Sequence, residues 1–274
     1  MVGRALERGD RATVLLADPN EHLSAIMNSN VISVQTDTPQ QEVARLVDKY
    51  HLLGIPVVGA DNTLVGVVTI DDVIDVIEEQ TTRHMLQMAG TNESETQTNS
   101  AWKIAFIRLP WLLAAFAGGL VATAIIQRFQ PILSQVLALS AFLPVVMGMA
   151  GNVGVQTSTV AVRSLATGTL VFQRAGKVLL KELRVGLMLG LTYGILIGAV
   201  GWFFFDDIRL AEVVGLTLLI NMTGAALLAM ILPLAFYSMG TDPAIATGPF
   251  VTTAIDVLGV LNYFVIANAI MGLV

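Results

Sequence analysis

The chain has 274 residues, of which 54% are hydrophobic and only 13% are charged, and its mean hydropathy is +0.71. Because soluble globular proteins carry roughly a quarter charged residues, most of this chain cannot be a water-exposed globule. The formal charge of −6 divides into −9 on residues 1–102 and +3 on residues 103–274, and the absence of cysteine excludes disulfides and thiolate-held metals.

Residues 28–79 are predicted to form a small α/β domain with the order strand, helix, strand, strand, helix. Runs rich in β-branched residues between turn signals predict the strands, which are expected at 31–34, 55–58 and 64–69. The first helix is expected to begin at Thr38 and Pro39, with the threonine as its cap and the proline as its first residue.

The motif Gly-Val-Val-Thr-Ile-Asp-Asp at 66–72, which follows the strand at 55–58, resembles a repeat of the cystathionine-β-synthase (CBS) type. The resemblance implies that Thr69 and Asp72 contact the ribose of an adenosine nucleotide, so that ATP would bind there. The same two side chains would equally well cap the last helix, and both interpretations stay open. CBS repeats normally work in pairs, and we interpret residues 1–27 as the remnant of a preceding repeat.

Residues 80–101 are predicted to connect this domain to the hydrophobic part, first as a helix to Met88 and then as a flexible polar linker. The preceding segment carries a dense run of acids, which are Asp71, Asp72, Asp75, Glu78 and Glu79. Bare carboxylates repel one another, and a divalent cation relieves that repulsion, so the run is a candidate cytoplasmic Mg²⁺ sensor. A plain solvated surface is the alternative.

Uncharged runs predict five membrane-spanning helices within residues 102–274, since about 20 apolar residues cross a bilayer. They are expected near 103–127, 133–163, 178–205, 212–239 and 244–272. Basic residues concentrate between the second and third spans, and Asp206 and Asp207 lie between the third and fourth. The positive-inside rule then places the N-terminal domain in the cytoplasm and the C-terminus outside. The predicted fold is an α-helical membrane protein with five transmembrane helices, preceded by the small α/β domain.

The fifth predicted span contains a lone carboxylate. Asp242 and Pro243 predict the start of its helix, which places Asp256 four turns further on, near the middle of the membrane. Burying such a group costs about 2.5–3.5 kcal/mol at the least. Thr252 and Thr253 share its helix face. We interpret this face as a route for a cation or a proton. A protonated Asp256 bonded to a neighbouring helix, and an Asp242 that only caps, are the alternatives.

The second predicted span carries Gly-Asn-Val-Gly-Val-Gln at 151–156. Asn152 and Gln156 are one turn apart, so that one helix face presents two amides beside Gly151, which favours a pore-lining or gate surface over small-residue helix packing. Carboxylate, amide and hydroxyl oxygens suit hard cations. One aspartate per chain, doubled in a dimer, suits Mg²⁺ that keeps its water shell.

The CBS repeat, the acidic connecting helix and the motifs of the second and fifth spans together resemble the MgtE family of magnesium channels. The most specific motif is Thr-Asp-Pro-Ala at 241–244 with Gly-Pro-Phe-Val-Thr-Thr-Ala-Ile-Asp at 248–256, in which Gly248 is a candidate gate residue. The resemblance covers about residues 10–274. In that family an N-terminal helical domain and a complete first CBS repeat precede these segments, and we expect this sequence to lack both.

The resemblance implies a homodimer in the plasma membrane with its pore along the twofold axis. It further implies that Asp256 binds hydrated Mg²⁺ in the pore, that Asp242 and Asn152 lie near the path and gate, and that the connecting helix is a plug controlled by cytosolic Mg²⁺. We therefore expect a gated Mg²⁺ channel, with Mg²⁺ both transported and regulatory.

Three other functions were considered. A secondary exchanger would couple Mg²⁺ to Na⁺ or H⁺, and a membrane-tethered nucleotide sensor would carry no ion. An intramembrane aspartyl protease needs two carboxyl groups that share a proton, but fourteen helical residues would separate Asp242 from Asp256 by about 21 Å. We therefore expect no enzymatic activity, and the acidic balance argues against nucleic acid as a partner.

Overall fold

The computed structural model describes residues 18, 22, 31–168 and 175–272. The predicted repeat remnant at 1–27 lies outside the described residues, apart from positions 18 and 22. The chain divides into two compact units, Met1–Arg83 and His84–Val274, which are described separately.

The first unit is a three-stranded sheet with two helices. Its elements in chain order are β1 (Val34–Gln35), α1 (Gln40–Tyr50), β2 (Gly54–Val58), β3 (Leu64–Thr69) and α2 (Ile70–Met88), the last of which continues into the second unit. The strand order is β1-β2-β3, with β1 parallel to β2 and β2 antiparallel to β3. The predicted strands at 55–58 and 64–69 and the predicted order of strand, helix, strand, strand and helix are confirmed.

The core of this unit forms because α1 has apolar residues at helical spacing. Its buried side chains pack with residues of both neighbouring strands and of α2, and this core consists of Val34, Val43, Ala44, Val47, Leu52, Ile55 and Val73. His51 ends α1 in the left-handed conformation with φ 53°, which lets the Leu52 amide bond the Val47 carbonyl. The chain then enters β2 with Ile55 fully buried.

Two local predictions for this unit are wrong. The first strand begins at Val34 rather than at residue 31. Thr38 does not cap α1, because its hydroxyl oxygen accepts a hydrogen bond from the Gln35 amide 3.0 Å away, back in the preceding turn. The helix begins after Pro39, whose carbonyl accepts the first amide bonds.

The second unit is a bundle of long apolar helices. They are α3 (Ala101–Arg128), the short α4 (Gln130–Gln135), α5 (Ala138–Ala166), α6 (Ala175–Phe205), α7 (Ile208–Ser238) and α8 (Pro249–Met271). Within the described residues, all of these except α4 are long and apolar enough to cross a membrane, which confirms the five predicted spans. The chain is a multi-pass membrane protein.

Helices α6 and α7 approach each other closely through glycines on α6. A Cβ atom at Gly190 would lie 2.7 Å from the Leu219 carbonyl oxygen, and one at Gly194 would lie 2.6 Å from the Gly215 carbonyl oxygen. Only hydrogen fits at such distances from backbone. This is the small-residue packing expected between membrane helices, where van der Waals contact drives association.

Helix α8 packs against α3, α5 and α7. At one end of the bundle, the buried Tyr263 donates a hydrogen bond from its hydroxyl to the Leu139 carbonyl of α5 at 2.9 Å. Phe264 stacks on Phe129 with ring centroids 5.2 Å apart. These contacts attach the second half of α8 to the rest of the bundle.

The start of α8 differs from the prediction. Asp242 caps only a short 3₁₀ helix, Pro243–Ala246, and Gly248 then turns the chain with φ 61° before α8 begins at Pro249. Asp256 is therefore two turns into α8 rather than four, and it lies about one turn before the midpoint of the helix. The continuous helix on which the 21 Å estimate rested is interrupted as well.

The segment between α2 and α3 has defined contacts where a flexible linker was predicted. Helix α2 ends at Met88, as predicted, and a 3₁₀ turn follows at Glu93–Glu95 with Asn92 as its cap. The Glu95 carboxylate accepts hydrogen bonds from the Arg108 guanidinium of α3 and from the Thr91 hydroxyl. The ion pair holds this segment against the first membrane helix.

Candidate functional site

The carboxylate of Asp256 on α8 faces Gly151 on α5. It is half-buried, and an ideal Cβ atom built on Gly151 of α5 would be 4.0 Å from its Oδ1 atom. Because Gly151 has no side chain, the space beside the carboxylate is not filled from α5. The structure thus brings together two residues of the predicted site that are 105 positions apart in the sequence.

A single chain supplies few charged ligands to this place. Among residues 31–168 and 175–272, together with positions 18 and 22, no group of three histidine, aspartate or glutamate residues is arranged to hold a metal ion. A fully dehydrated cation would need such a cage. One carboxylate beside an open space suits a cation that keeps most of its water ligands, as Mg²⁺ usually does.

The two threonines of α8 make contacts other than those expected for direct ligands. The Thr252 hydroxyl donates a hydrogen bond to the Gly248 carbonyl at 3.0 Å, in the first turn of the helix. Thr253 packs its methyl group against Gly118 of α3, so closely that a Cβ atom there would collide with it. Thr252 thus stabilises the start of α8, and Thr253 lies in the α3–α8 interface.

The motif of α5 serves helix packing on one side and presents polar groups on the other. Gly154 is buried against Ile255 of α8, which leaves no room for a side chain. Asn152 and Gln156 are exposed, one turn apart on the same helix. Two exposed amides in the middle of a membrane helix favour a neighbouring surface or space that is polar.

The end of α2 lies on the segment that precedes α8. The Met88 carbonyl is in contact with Gly248, so that a Cβ atom on Gly248 would collide with it. Asp242 accepts a hydrogen bond from the Ala244 amide at 2.9 Å, which satisfies its capping role, and its Oδ1 atom is also 4.0 Å from the His84 Nε2 atom. The end of α2 therefore contacts the residues directly before α8, the helix that carries Asp256.

The contact between Glu95 and Arg108 lies next to this junction. Hydrogen bonds from the Arg108 guanidinium, and then from the Thr91 hydroxyl, lower the pKa of Glu95 to about 2. The carboxylate is thus charged throughout the physiological range and remains paired with α3. This pair holds the chain that follows α2.

The predicted sensor acids lie on α2 and are exposed. Asp71, Asp75, Glu78 and Glu79 follow one another at helical spacing along one side, and Glu79 pairs with Arg83 at 3.6 Å. At the start of the helix, the Thr69 hydroxyl donates to the Asp72 carboxylate at 2.8 Å, and the Thr69 amide donates to it at 3.3 Å. Both nucleotide-binding candidates thus bond each other at the helix start, as the capping interpretation describes.

Sequence reasoning missed three polar residues within the membrane helices. Asn221 of α7 bonds α8 at the Gly259 carbonyl and at Asn262. Glu182, in the first half of α6, is 7% exposed, and the Thr157 hydroxyl donates to it at 3.4 Å. The isolated amides in uncharged runs were a usable signal, since such groups need partners in lipid. Glu182 lies inside the predicted third span at 178–205, but the basic residues around it were interpreted only as a signal of orientation.

Two family models match the chain. Residues 143–266 match MgtE, described as a divalent cation transporter, and residues 23–79 match the CBS domain. The chain is similar to three curated proteins named magnesium transporter MgtE. That of Thermus thermophilus is 37% identical over 261 residues, which are 94% of this chain and 58% of the relative.

The other two relatives show similar values. The protein of Bacillus subtilis is 35% identical over 256 residues, which are 93% of this chain and 57% of the relative. The protein of Enterococcus faecalis is 34% identical over 258 residues, which are 94% of this chain and 57% of the relative. The chain thus spans a little over half the length of each curated relative that it matches.

Proposed function

Because the chain belongs to the MgtE family, we propose that it carries Mg²⁺ across the plasma membrane through a pore in which Asp256 binds the hydrated ion. The observation that carries the proposal is the half-buried Asp256 carboxylate beside Gly151, among helices of membrane-spanning length. A carboxylate within a membrane helix is costly to bury, and such residues typically mark an ion or proton route. The relatives are named magnesium transporters.

The pore is proposed to form between two copies of the chain. Asn152 and Gln156 of α5 are exposed in one chain, although they lie within a membrane helix. A second copy related by twofold symmetry would place its own α5 and α8 opposite, and two Asp256 carboxylates would then share one ion. Two carboxylates and several waters match the usual coordination of Mg²⁺.

Gating is proposed to act through the end of α2. The contacts of His84 with Asp242 and of Met88 with Gly248 support a docked state in which this helix end closes the entrance beside α8. Cytosolic Mg²⁺ would favour that state by screening the exposed acids Asp71, Asp75, Glu78 and Glu79. Depletion of Mg²⁺ would restore their repulsion and release the helix end.

The experiment that tests transport is Mg²⁺ flux into proteoliposomes containing the parent chain, Asp256→Asn or Asp206→Asn. The control variant removes the same charge from an exposed acid in the turn between α6 and α7, where the positive φ of 49° is tolerated by asparagine. We expect Asp256→Asn to abolish flux and Asp206→Asn to retain it. Parent-like flux in Asp256→Asn would remove the pore assignment.

An exchanger that couples Mg²⁺ to Na⁺ or H⁺ is the second candidate function. It is favoured by the buried Glu182, a carboxylate outside the proposed pore that a coupled proton or Na⁺ would need. Current recorded from giant liposomes separates the two mechanisms. A channel gives current that reverses at the Mg²⁺ equilibrium potential, whereas an exchanger gives a reversal that moves with the Na⁺ or H⁺ gradient.

The proposal includes an orientation and a nucleotide site. The α/β unit is placed in the cytoplasm and the C-terminus outside, in keeping with the basic residues between the second and third spans. ATP would bind the α/β unit through Thr69 and Asp72. Accessibility of single cysteines in the cysteine-free parent tests the orientation, and calorimetric titration with ATP tests the nucleotide site.

A further inference from the structure

We propose that Asn221 is a positioning residue that sets the place of the Asp256 carboxylate through a hydrogen bond to the backbone of α8. This inference rests on the proposed function, because it assigns a role in ion binding at the same site. Asn221 lies on α7 and is 7% exposed. It is a polar side chain within an otherwise largely apolar membrane span.

Two hydrogen bonds of the Asn221 side chain join α7 to α8. Its Nδ2 atom donates to the Gly259 carbonyl at 3.1 Å, and its Oδ1 atom accepts from the Asn262 amide at 2.7 Å. Gly259 is three residues beyond Asp256, in the next turn of the same helix. The network therefore holds the turn of α8 that directly follows the proposed ligand.

The absence of a side chain at Gly259 allows this contact. A Cβ atom at that position would be 3.2 Å from the Asn221 Nδ2 atom, so the amide would have to move if any larger residue stood there. Asn221 and Gly259 are each within a few residues of the middle of their helices, far from either end. A leucine at position 221 would fill similar space by packing, but it would lack a directional bond to α8.

The directional bond matters because apolar packing on its neighbours fixes the rotation of α8 less sharply than a hydrogen bond does. A carboxylate at the outer edge of a helix is about 6 Å from the axis, and a rotation of roughly 20° moves it by about 2 Å. The accepted range of N–H···O distances is far narrower than that. On the α5 side, the Tyr263 hydroxyl bonds the Leu139 carbonyl, but it lies about two turns beyond Asp256. The turn that bears Asp256 packs through Ile255 against Gly154 of α5 and through Thr253 against Gly118 of α3, while the carboxylate itself faces the open side of Gly151.

The test compares Asn221→Leu and Gly259→Ala with the control Thr223→Val in proteoliposomes. The Thr223 hydroxyl donates to the Leu219 carbonyl of its own helix at 2.7 Å, and the Thr223 backbone lies against Gly186 of α6, so the control removes a polar group from α7 at its contact with α6. For each variant, the half-saturating Mg²⁺ concentration, the maximal flux per folded protein and the Mg²⁺-to-Ca²⁺ flux ratio are measured, together with the unfolding temperature in detergent.

We expect folded Asn221→Leu to need at least fivefold more Mg²⁺ for half-saturation and to discriminate less against Ca²⁺. Gly259→Ala, which keeps every polar group, should shift both values in the same direction by a smaller factor. The control should match the parent. A role in folding alone would lower the amount of folded protein and leave the half-saturating concentration unchanged.

Two results would overturn the inference. One is a folded Asn221→Leu with parent-like half-saturation and flux ratio, and the other is a loss of flux in both variants that is proportional to lost folded protein. Failure of the proposed function has a different signature, since the parent would then carry no Mg²⁺ or Asp256→Asn would carry as much as the parent.

Discussion

Replacement of Gly248 by alanine tests the contact between the end of α2 and the entrance of α8. Gly248 has φ 61° and ψ −126°, and the Met88 carbonyl carbon lies 3.3 Å from where a Cβ atom would stand, with the carbonyl oxygen closer still. Ordinary carbon–carbon contacts are about 3.5–4.0 Å. Alanine therefore cannot be accommodated unless the end of α2 moves away.

The size of the effect follows from the collision with backbone. Overpacking of this kind costs about 1–3 kcal/mol, and it acts only while α2 is docked. Since 1.4 kcal/mol is a factor of ten in an equilibrium, the ratio of docked to undocked states should fall about 5- to 150-fold.

The assay is the open probability in giant liposomes with high Mg²⁺ on the side of the α/β unit, a condition expected to close the parent. Gly248→Ala should raise the open probability at high Mg²⁺ by about 5- to 150-fold, until the open probability saturates. Gly240→Ala is the matched control, because Gly240 also has a positive φ of 74° but nothing within 4 Å of its Cβ position. A folded Gly248→Ala that closes like the parent, or an equal effect of the control, would refute the reasoning.

Three further predictions concern stability. Gly190→Ala should destabilise the bundle by about 1–3 kcal/mol in equilibrium unfolding, because its Cβ atom would collide with the backbone of α7. The control Gly224→Ala has open space at its Cβ position and should be nearly neutral. Equal effects of the two substitutions would contradict close packing of α6 on α7. The pKa of Glu95 is depressed to about 2, so the stability that its charged form contributes is present above its ordinary pKa and is lost as the pH falls toward 2. Glu95→Gln should therefore flatten the dependence of the unfolding temperature on pH between pH 5 and pH 2. An unchanged dependence would exclude a contribution of the ion pair to stability. Thr69→Val removes the hydrogen bond from the Thr69 hydroxyl to Asp72 and should lower the free energy of unfolding of the α/β unit by about 0.5–2 kcal/mol in a urea titration. An unchanged urea midpoint would mean that the pair does not cap the helix.

Hydropathy alone located the membrane helices. Four uncharged runs and a fifth run with one charge predicted five spans, and the described residues have a helix of sufficient length at each, because lipid forces each apolar run to satisfy its backbone within a helix. The same local signal singled out Asp256, since a carboxylate in an apolar run is conspicuous without any knowledge of its neighbours. The strands at 55–58 and 64–69 were equally evident from their β-branched residues.

The position of Asp256 along its helix was not evident in the sequence. Asp242 and Pro243 carry the usual signals of a helix start, and they do begin a helical turn, but Gly248 interrupts the chain before α8. The space that a side chain at this position would need is occupied by the Met88 carbonyl, which lies 160 residues earlier in the sequence. No local pattern contains that contact.

Helical periodicity determined which residues share a face with Asp256, whereas tertiary packing decided what each face meets. Thr253 lies against Gly118 of α3, and the turn after Asp256 is bonded by Asn221 of α7. The physical reason is that hydropathy and capping act between residues close in the chain. The rotation of a helix, in contrast, is set by the side chains of the helices around it, and only the assembled bundle places Asp256 beside the empty side of Gly151.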